Sequence, residues 1–556
     1  MFKEVKCRIC SVKCIVILSG LLLIAVCAFA QAPEWEWATQ AGGNDYDRGY
    51  AITKDNAGNT YVTGSFEDTA TFGSDYLTSS GSYDIFVEKI DADGTWQWAA
   101  QAGGIDYDSG SGIVLDNMGN IYVSGYFMMT ADFGPFSLTS NGWDDVFVAK
   151  LDPDGNWLWV NQAGGTYYDC GTAITVDGEG ACYVSGDFMN TAYFGFYSLT
   201  SNGSQDGFIA KLDSSGIWQW VKSAGGYARD IAIDDAGDIY VFGDFCGTTH
   251  FGSYSMTSAG SNDIFLAKIN SVGTWQWASQ AGGSDTDVGN AIAVDNAGNS
   301  YVTGMFESAA YFGSYYIEGS GSYDIFVAKI DPNGVWQWAK QAGGVNYDDG
   351  EGITVDNEVN IYVTGGFEDV AFFDSDSVAS YGGRDIFVAK LDSTGMWEWA
   401  TNAGGISSDK GSGVSLDNEY NCCVTGFFNG ISTFGSQVIT SNGYSDIFVA
   451  KLNSSVSTDP EINPDAGSLS NYPNPFDQRT TINYALKGET EVCLEVYNIK
   501  GQLVETLFEG SKQAGDHTIE WDCRGMPSGV YFFKMQAGDE SFIRKMVLLR
   551  QGFLIF

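Results

Sequence analysis

The sequence predicts an all-β protein: a seven-bladed β-propeller of four-stranded blades, followed by a small Ig-like β-sandwich. The chain has 556 residues, too many for a single ordinary core, and its 71 glycines against 9 prolines favour turn-rich β structure. An Ala-Gly-Gly tripeptide, each time shortly preceded by a Trp-x-Trp pair, recurs at Ala41, Ala102, Ala163, Ala224, Ala281, Ala342 and Ala403. A fixed period of 61 residues, shortened once to 57, is typical of a propeller.

Each repeat contains four short runs of β-forming residues, separated by turns rich in Asp, Asn and Gly. In the second repeat the predicted strands A to D cover residues 112–115, 121–127, 146–151 and 157–160, with a long connection between B and C. The last repeat has no Trp-x-Trp of its own, whereas Trp35 and Trp37 stand unclaimed near the N-terminus. We therefore expect the N-terminal strand to complete the last blade, because closing the ring removes exposed sheet edges.

The first thirty residues predict a secretory signal peptide. Basic residues precede an apolar run over residues 15–27, and Ala28-Phe29-Ala30 offers a cleavage site. A membrane span is the alternative, but the run is shorter than the roughly 20 residues needed to cross a bilayer. We expect a signal peptide at residues 1–30, the propeller at 31–453, a linker at 454–470 and a second domain at 471–556, with no membrane span in the mature chain.

The charge balance excludes two classes of partner. Lys and Arg number 27 against 70 Asp and Glu, a net charge of -43. Binding to nucleic acid or to anionic lipid requires basic patches, so neither is expected. The chain has two histidines, which makes a His-rich metal site or a mechanism with a His pair improbable.

The repeat resembles a known bacterial family. The pattern GIAVDNAGNxYVTGxF, followed by FG, LTS and DIFVAKLDxxGxWQWAxQAGG, is similar to the SBBP-type β-propeller repeat and extends over residues 31–453. The resemblance implies the propeller fold. For function it implies a secreted or surface scaffold.

The segment after the linker resembles the type A C-terminal sorting domain of the type IX secretion system (Por). The residues that carry this resemblance are Pro473, Asn474, Pro475, Phe476, Gly529, Tyr531, Arg544 and Lys545. The resemblance implies the type IX secretion machinery as a partner, and a secreted or cell-surface location reached through the Sec signal peptide and the periplasm. An ordinary Ig-like accessory domain is the alternative.

One candidate site follows from the topology. In a four-stranded meander the B–C and D–A connections lie on the same face, so both line one mouth of the ring. The D–A connections carry equivalent carboxylates at Asp47, Asp108, Asp169, Asp287, Asp348 and Asp409, often beside a tyrosine, at Tyr46, Tyr107, Tyr168 or Tyr347. These residues could bind Ca²⁺ through oxygen ligands or hold a sugar. Alternatively, the aspartates form turns. The fourth repeat lacks the aspartate and has Arg229 nearby.

The function predicted from these features is a non-enzymatic, exported scaffold for binding or adhesion, with an extracellular glycan or protein as ligand. The alternative is an extracellular carbohydrate-active enzyme, a glycoside hydrolase or lyase that uses two of the carboxylates. Repetition of the same residues in every blade argues against the enzyme, because a catalytic pair should break the symmetry.

Overall fold

The computed structural model describes residues 33–374, 376–453, 469–472, 476, 478–486, 488, 490–498, 503–527, 529–537 and 540–548. The predicted signal peptide and the predicted linker up to residue 468 lie outside these residues. The chain divides into two compact units on either side of that linker, and each unit is described by itself. None of the described residues belongs to a helix that could cross a membrane.

The first unit consists of strand β1 (Trp35–Ala41) and seven repeats. The strands of repeats 1 and 2 are β2 (Arg48–Lys54), β3 (Thr60–Phe72), β4 (Asp75–Ile90), β5 (Trp96–Gly104), β6 (Ser109–Leu115), β7 (Ile121–Phe133), β8 (Phe136–Leu151) and β9 (Trp157–Ala163). Those of repeats 3 and 4 are β10 (Asp169–Val176), β11 (Cys182–Phe188), β12 (Thr191–Phe194), β13 (Tyr197–Thr200), β14 (Asp206–Leu212), β15 (Trp218–Ser223), β16 (Tyr227–Ile233), β17 (Ile239–Phe251), β18 (Tyr254–Ile269) and β19 (Trp275–Gly283).

The remaining strands of this unit follow the same plan. Those of repeats 5 and 6 are β20 (Asp287–Val294), β21 (Ser300–Phe306), β22 (Ala309–Phe312), β23 (Tyr315–Glu318), β24 (Asp324–Ile330), β25 (Trp336–Ala342), β26 (Asp349–Val355), β27 (Ile361–Phe373), β28 (Asp376–Leu391) and β29 (Trp397–Gly405). Repeat 7 contains β30 (Lys410–Leu416), β31 (Cys422–Phe428), β32 (Ile431–Phe434), β33 (Gln437–Thr440) and β34 (Asp446–Leu452).

Every repeat is an antiparallel meander of strands A to D, and the all-β prediction is confirmed. The A strands of successive repeats contact one another in a closed cycle, from β2 through β6, β10, β16, β20 and β26 to β30 and back to β2. Strand β1 pairs antiparallel with β34 and supplies strand D of repeat 7, with Ala41 opposite Ile447. Closure by the N-terminal strand is therefore confirmed.

The Trp-x-Trp pair joins each strand D to its surroundings. The first tryptophan packs edge-on against the phenylalanine of its own repeat's B–C hairpin, as Trp157 does against Phe133 with ring centroids 5.4 Å apart. The second faces the next repeat, where Trp37 Nε1 donates a hydrogen bond to the carbonyl oxygen of Ala92 at 3.2 Å. The two residues thus stabilise one sheet and its junction with the next.

The Ala-Gly-Gly tripeptide lets strand D bond to the following repeat. Gly103 and Gly104 at the end of β5 pair with Asp132 and Ala131 of β7. A Cβ on Gly104 would lie 1.9 Å from the carbonyl oxygen of Thr130, so a side chain cannot be accommodated there. The partner strand belongs to a B–C segment that forms a β-hairpin, where the sequence predicted a long connection. Its alternating residues extend the sheet beyond strands B and C.

The second unit is a β-sandwich. Its strands are β35 (Leu469–Tyr472), β36 (Arg479–Leu486), β37 (Thr490–Asn498), β38 (Leu503–Lys512), β39 (Gly515–Asp522), β40 (Gly529–Ala537) and β41 (Glu540–Leu548). One sheet has the order β35-β36-β39 and the other has the order β38-β37-β40-β41. Trp521, which is fully buried, lies in the core between them with Phe476 and Tyr531.

Glu88 on β4 departs from the repeat pattern inside the core. The other repeats have alanine at this position: Ala149, Ala210, Ala267, Ala328, Ala389 and Ala450. Glu88 is fully buried, and neither carboxylate oxygen has a hydrogen-bond partner among the described residues. It shares a strand face with Phe86 and Ile90, which belong to the core between repeats 1 and 7. Burial raises the pKa of Glu88 well above its ordinary value.

We predict that deleting residues 31–40 destabilises the first unit. Trp35 is buried against Phe434, and each lost tryptophan removes roughly 2–3 kcal/mol of apolar burial. The deletion also exposes β34 as an unpaired edge, which favours association between molecules. A lower melting temperature and early elution in size-exclusion chromatography are expected. An unchanged melting temperature with monomeric elution would contradict the role of β1.

We predict that Glu88→Ala stabilises the protein by about 1–3 kcal/mol, because a buried carboxyl without partners costs its full desolvation. The folded-state pKa of Glu88 lies above its unfolded pKa of about 4.3. Below about pH 4.3 the carboxyl is protonated in both states, and the free energy of unfolding then falls as the pH rises from there through the folded-state pKa. The gain in melting temperature should therefore be larger at pH 8 than at pH 4, as measured by calorimetry. The exposed Glu179→Ala variant is the control. A lower melting temperature for Glu88→Ala at both pH values would refute the prediction.

Candidate functional site

The D–A and B–C connections meet at one end of the repeats, as the topology predicted. The D–A connections at Asp47, Asp108, Asp348 and Asp409 form a backbone hydrogen bond with the residue that precedes the strand C aspartate. The N–H of Asp47 donates to the carbonyl oxygen of Ser445 at 2.8 Å, and the N–H of Asp108 donates to that of Tyr83 at 2.9 Å. We call this end of the first unit the D–A mouth.

The six predicted aspartates of the D–A connections are fully buried. Each carboxylate accepts backbone N–H groups of its own neighbourhood. The N–H of Gly104 donates to Asp108 Oδ2 at 2.6 Å and that of Met128 donates to Oδ1 at 3.0 Å. Equivalent bonds from the second glycine of Ala-Gly-Gly reach Asp47, Asp169, Asp287, Asp348 and Asp409. Each carboxylate therefore fastens a D–A connection to the next repeat.

A second aspartate lies beside each of them, and sequence reasoning did not foresee this pairing. The partner is the aspartate that begins strand C: Asp446, Asp84, Asp145, Asp263, Asp324 and Asp385 face Asp47, Asp108, Asp169, Asp287, Asp348 and Asp409 respectively. A Cβ on Gly103, whose φ is +152°, would lie 2.5 Å from Asp84 Oδ1 and 3.0 Å from Asp108 Oδ2. Glycine is required there to leave room for both carboxyl groups.

Burial controls the protonation of these pairs. It raises the pKa of Asp84 and of Asp108 to about 7, and the negative charge of Asp84 adds to the rise at Asp108. The backbone N–H donors oppose the rise without cancelling it. Near neutral pH such a pair is therefore partly protonated.

The pairs provide few ligands for a metal ion. Ca²⁺ takes six to eight oxygen ligands, whereas each pair offers two carboxyl groups. Within the part of the chain that the structure describes, no group of three or more His, Cys, Asp or Glu residues is arranged to hold a metal ion. Backbone carbonyl groups or water would have to supply the remaining ligands, and Ca²⁺ binding stays a prediction.

Each of the four predicted tyrosines of the D–A mouth contacts a second aromatic ring; Tyr46, Tyr107 and Tyr168 are exposed, and Tyr347 is half-buried. Tyr46 stacks on Tyr444 with centroids 4.8 Å apart, and Tyr168 stacks on Trp143 at 5.4 Å. Tyr107 is 51% exposed. Tyr107 and Tyr347 contact Tyr83 and Tyr323 respectively. The partner aromatics stand one or two residues before the strand C aspartate, a spacing that the sequence already contained.

The connection that leads into repeat 4 is different. It lacks the aspartate, and Arg229 Nε donates instead to Asp244 Oδ1 at 2.6 Å. Asp244 is fully buried and also accepts a hydrogen bond from Asn262 Nδ2 at 2.8 Å. An ion pair therefore takes the place of a carboxyl pair in this repeat.

The predicted sorting residues lie in the second unit. Phe476 and Tyr531 pack against Trp521, with centroids 5.7 and 5.3 Å away. Gly529 begins β40, Arg544 is exposed on β41, and the backbone of Lys545 pairs with Phe532. Pro473, Asn474 and Pro475 fall outside the described residues. Most of the described motif residues therefore build the sandwich itself.

Family comparisons agree with this division. The model of the SBBP β-propeller repeat matches residues 36–65, 97–126, 276–305 and 337–365, so the first unit is a β-propeller that carries SBBP repeats. The model of the secretion system C-terminal sorting domain matches residues 470–549. The chain is thus a repeat protein that ends in a type IX sorting domain, which indicates secretion or display at the cell surface.

Individual relatives are distant. The chain is 23% identical over 443 residues to an uncharacterized WD repeat-containing protein of Acanthamoeba polyphaga mimivirus, a match that covers 61% of this chain and 32% of that protein. It is 22% identical over 352 residues to the regulatory protein FlaEY of Caulobacter vibrioides, covering 58% and 36%. The chain thus spans about a third of the length of these curated relatives. PorZ of Porphyromonas gingivalis, a surface component of the type IX secretion system, aligns with 11% identity and a TM-score of 0.19 over 90% of this chain and 81% of PorZ. A TM-score this low supports no inference about function.

Proposed function

We propose that this protein is a non-enzymatic binding or adhesion scaffold that works outside the cell and takes an extracellular glycan or protein at the D–A mouth. The observation that carries the proposal is the set of aromatic pairs there, two of which, Tyr46 with Tyr444 and Trp143 with Tyr168, expose both rings. Flat aromatic faces that remain exposed are suited to the faces of sugar rings, and exposed aromatics are common at binding surfaces. The buried carboxyl pairs beneath them hold the connections in place.

The same geometry favours binding over catalysis. A glycosidase needs two carboxyl groups that reach the substrate, one as acid and one as base or nucleophile. The paired aspartates of the D–A mouth are buried, and each accepts hydrogen bonds from the chain itself. A carbohydrate-active enzyme is the alternative, and release of reducing sugar from a bound glycan would favour it.

The route of export completes the proposal. We infer that residues 1–30 direct the chain to the periplasm, that residues 31–453 form the propeller, that the linker predicted at 454–470 ends where strand β35 begins at Leu469, and that residues 471–556 are read by the type IX secretion machinery. The match to the sorting domain supports the last step.

We predict that export depends on the second unit. Truncation after Ser470 should leave a folded propeller in the periplasm, because the sorting residues are lost while the strands of the first unit remain. A foreign β-domain fused to residues 454–556 behind a signal peptide should reach the surface or the medium. Cell fractionation with immunoblotting measures both. Truncated protein found outside the cell would contradict the sorting role.

A further prediction concerns binding. On a glycan array, Tyr107→Ala with Tyr168→Ala should weaken binding of the full chain about tenfold, since each aromatic contact contributes roughly 0.5–1.5 kcal/mol. Tyr76→Ala with Tyr254→Ala is the matched control, because these exposed tyrosines lie at the tips of B–C hairpins, beside the tryptophan that begins strand D and away from the D–A connections. The array is run with and without Ca²⁺, and a bound cation should raise the melting temperature by mass action. Calorimetry that shows no heat with millimolar Ca²⁺, together with an unchanged melting temperature, would contradict Ca²⁺ binding. If the Tyr107 and Tyr168 double variant binds glycans as tightly as the Tyr76 and Tyr254 double variant, the aromatic pairs are not the binding site.

A further inference from the structure

The seven repeats agree where they hold the sheets together and diverge at a few positions beside the D–A mouth. One divergent set directly follows the D–A aspartates, with Arg48, Ser109, Cys170, Val288, Asp349 and Lys410. A second lies two residues further on, with Tyr50, Ser111, Thr172, Arg229, Asn290, Glu351 and Ser412. A third precedes the strand C aspartates, with Tyr83, Asp144, Gln205, Asn262, Tyr323, Arg384 and Ser445. These positions are therefore among those at which the repeats differ in the chemical character of the side chain.

The arginines of the propeller follow this asymmetry. Residues 31–453 contain three arginines, Arg48, Arg229 and Arg384, and all three occupy divergent positions. Arg229 belongs to the second set because the bulge between Ala228 and Asp230 matches the bulge at Tyr50 in repeat 1. Most lysines of the propeller, in contrast, stand at the repeated end of strand C. The positions of the arginines are therefore set by their local surroundings and not by the repeated pattern.

Two of the cations belong to a connected network in repeats 6 and 7. The Arg384 guanidinium forms an ion pair with Asp349, which is buried. Lys410 Nζ lies 2.7 Å from Glu351 Oε1 and 3.6 Å from Asp349 Oδ2. Gly366 leaves room for the arginine, since a Cβ there would lie 2.2 Å from Arg384 Nε. We call Arg48, Asp349, Glu351, Arg384 and Lys410 the axial cluster.

Arg48 is the cation of the axial cluster that has no carboxylate partner among the described residues. Its guanidinium lies 5.0 Å from the centroid of the Phe427 ring and 5.7 Å from that of Tyr46. Within the described residues it has no ion pair, and its buried Nε has no hydrogen-bond partner. Arg384 and Lys410 are paired with Asp349 and Glu351, and the Asp348 carboxylate adds a further negative charge near Arg384. Burial lowers the pKa of Lys410, Glu351 opposes that fall, and the positive charges of Arg384 and Arg48 add to it. Arg48 is thus the cation of the cluster whose guanidinium is left to pair with one more anionic group.

We propose that the axial cluster binds the carboxylate of an acidic saccharide whose ring lies against the exposed Tyr46 and Tyr444 pair. Arginine presents a planar fork of donors that matches a carboxylate, and Arg48 has donors free for it. The aromatic pair is adjacent through Tyr46, which stacks on Tyr444. The net charge of -43 opposes long polyanions, whereas a single unpaired guanidinium suits one carboxylate at a time. This inference rests on the proposed binding function and names its ligand class.

The test is isothermal titration calorimetry of the full chain with an oligogalacturonate and with a neutral galactose oligomer of equal length. The oligogalacturonate should bind about tenfold more tightly, because a charge-assisted hydrogen bond is roughly twice as strong as a neutral one. Arg48→Gln should remove that preference. It leaves no carboxylate unpaired, so its melting temperature should match that of the parent. Lys340→Gln on strand D of repeat 5 removes one positive charge elsewhere and is the control.

The outcomes separate this inference from the proposed function. Loss of the acidic preference in Arg48→Gln, with Lys340→Gln unchanged, supports the axial cluster. Saccharide binding with no acidic preference, or a preference that survives Arg48→Gln, overturns the cluster and leaves the aromatic site standing. A tetra-aspartate peptide that binds as tightly as the oligogalacturonate overturns the assignment to a saccharide. Binding of no saccharide overturns both proposals.

Discussion

The first unit depends on one pairing between strands from the two ends of its sequence. Strand β1 bonds to β34 along its length, and the side chain of Gln40 exchanges two hydrogen bonds with the backbone of Thr440, 400 residues away. Every other strand D pairs with the strand C that immediately precedes it in the chain. This one contact brings distant residues together, and the entropy of closing so long a loop opposes it. In return, the ring has no unpaired edge at that junction.

The repeated carboxyl groups hold the framework together, but their burial also costs free energy. Their burial costs desolvation, and the close approach of two carboxyl groups adds to that cost, as the raised pKa values near 7 record. Backbone N–H donors of the Ala-Gly-Gly segment offset part of it. The glycines are essential to this arrangement because one must adopt a positive φ and the next must touch the backbone of the neighbouring repeat. The Ala-Gly-Gly tripeptide and the aspartates therefore depend on each other: the glycines leave room for the carboxyl groups and donate hydrogen bonds to them.

A symmetric framework makes departures from symmetry informative. Glu88, Arg48, Arg229 and Arg384 each occupy a position where most repeats have another kind of residue. Glu88 departs inside a core and has no partner, whereas the arginines depart at the D–A mouth, where aromatic rings are exposed. Environment separates the two cases: a buried carboxyl without partners only costs stability, and a charge beside an open aromatic surface can meet a ligand.

The sequence by itself determined the repeat, its strands, the closing role of Trp35 and Trp37, and the sorting domain, because periodic residues and local turn chemistry are encoded within short stretches of chain. It also identified the aspartates and tyrosines of the D–A connections as a repeated set. Only the tertiary structure decided that the aspartates are buried in pairs and that the tyrosines stack on second rings. Those facts depend on contacts between segments some twenty or more residues apart, as for Asp84 with Asp108. In sequence, moreover, an aspartate that accepts hydrogen bonds from a buried connection cannot be distinguished from one that faces solvent. The gathering of Arg48, Arg384 and Lys410 likewise required the closed ring, since its curvature brings repeats 6, 7 and 1 side by side.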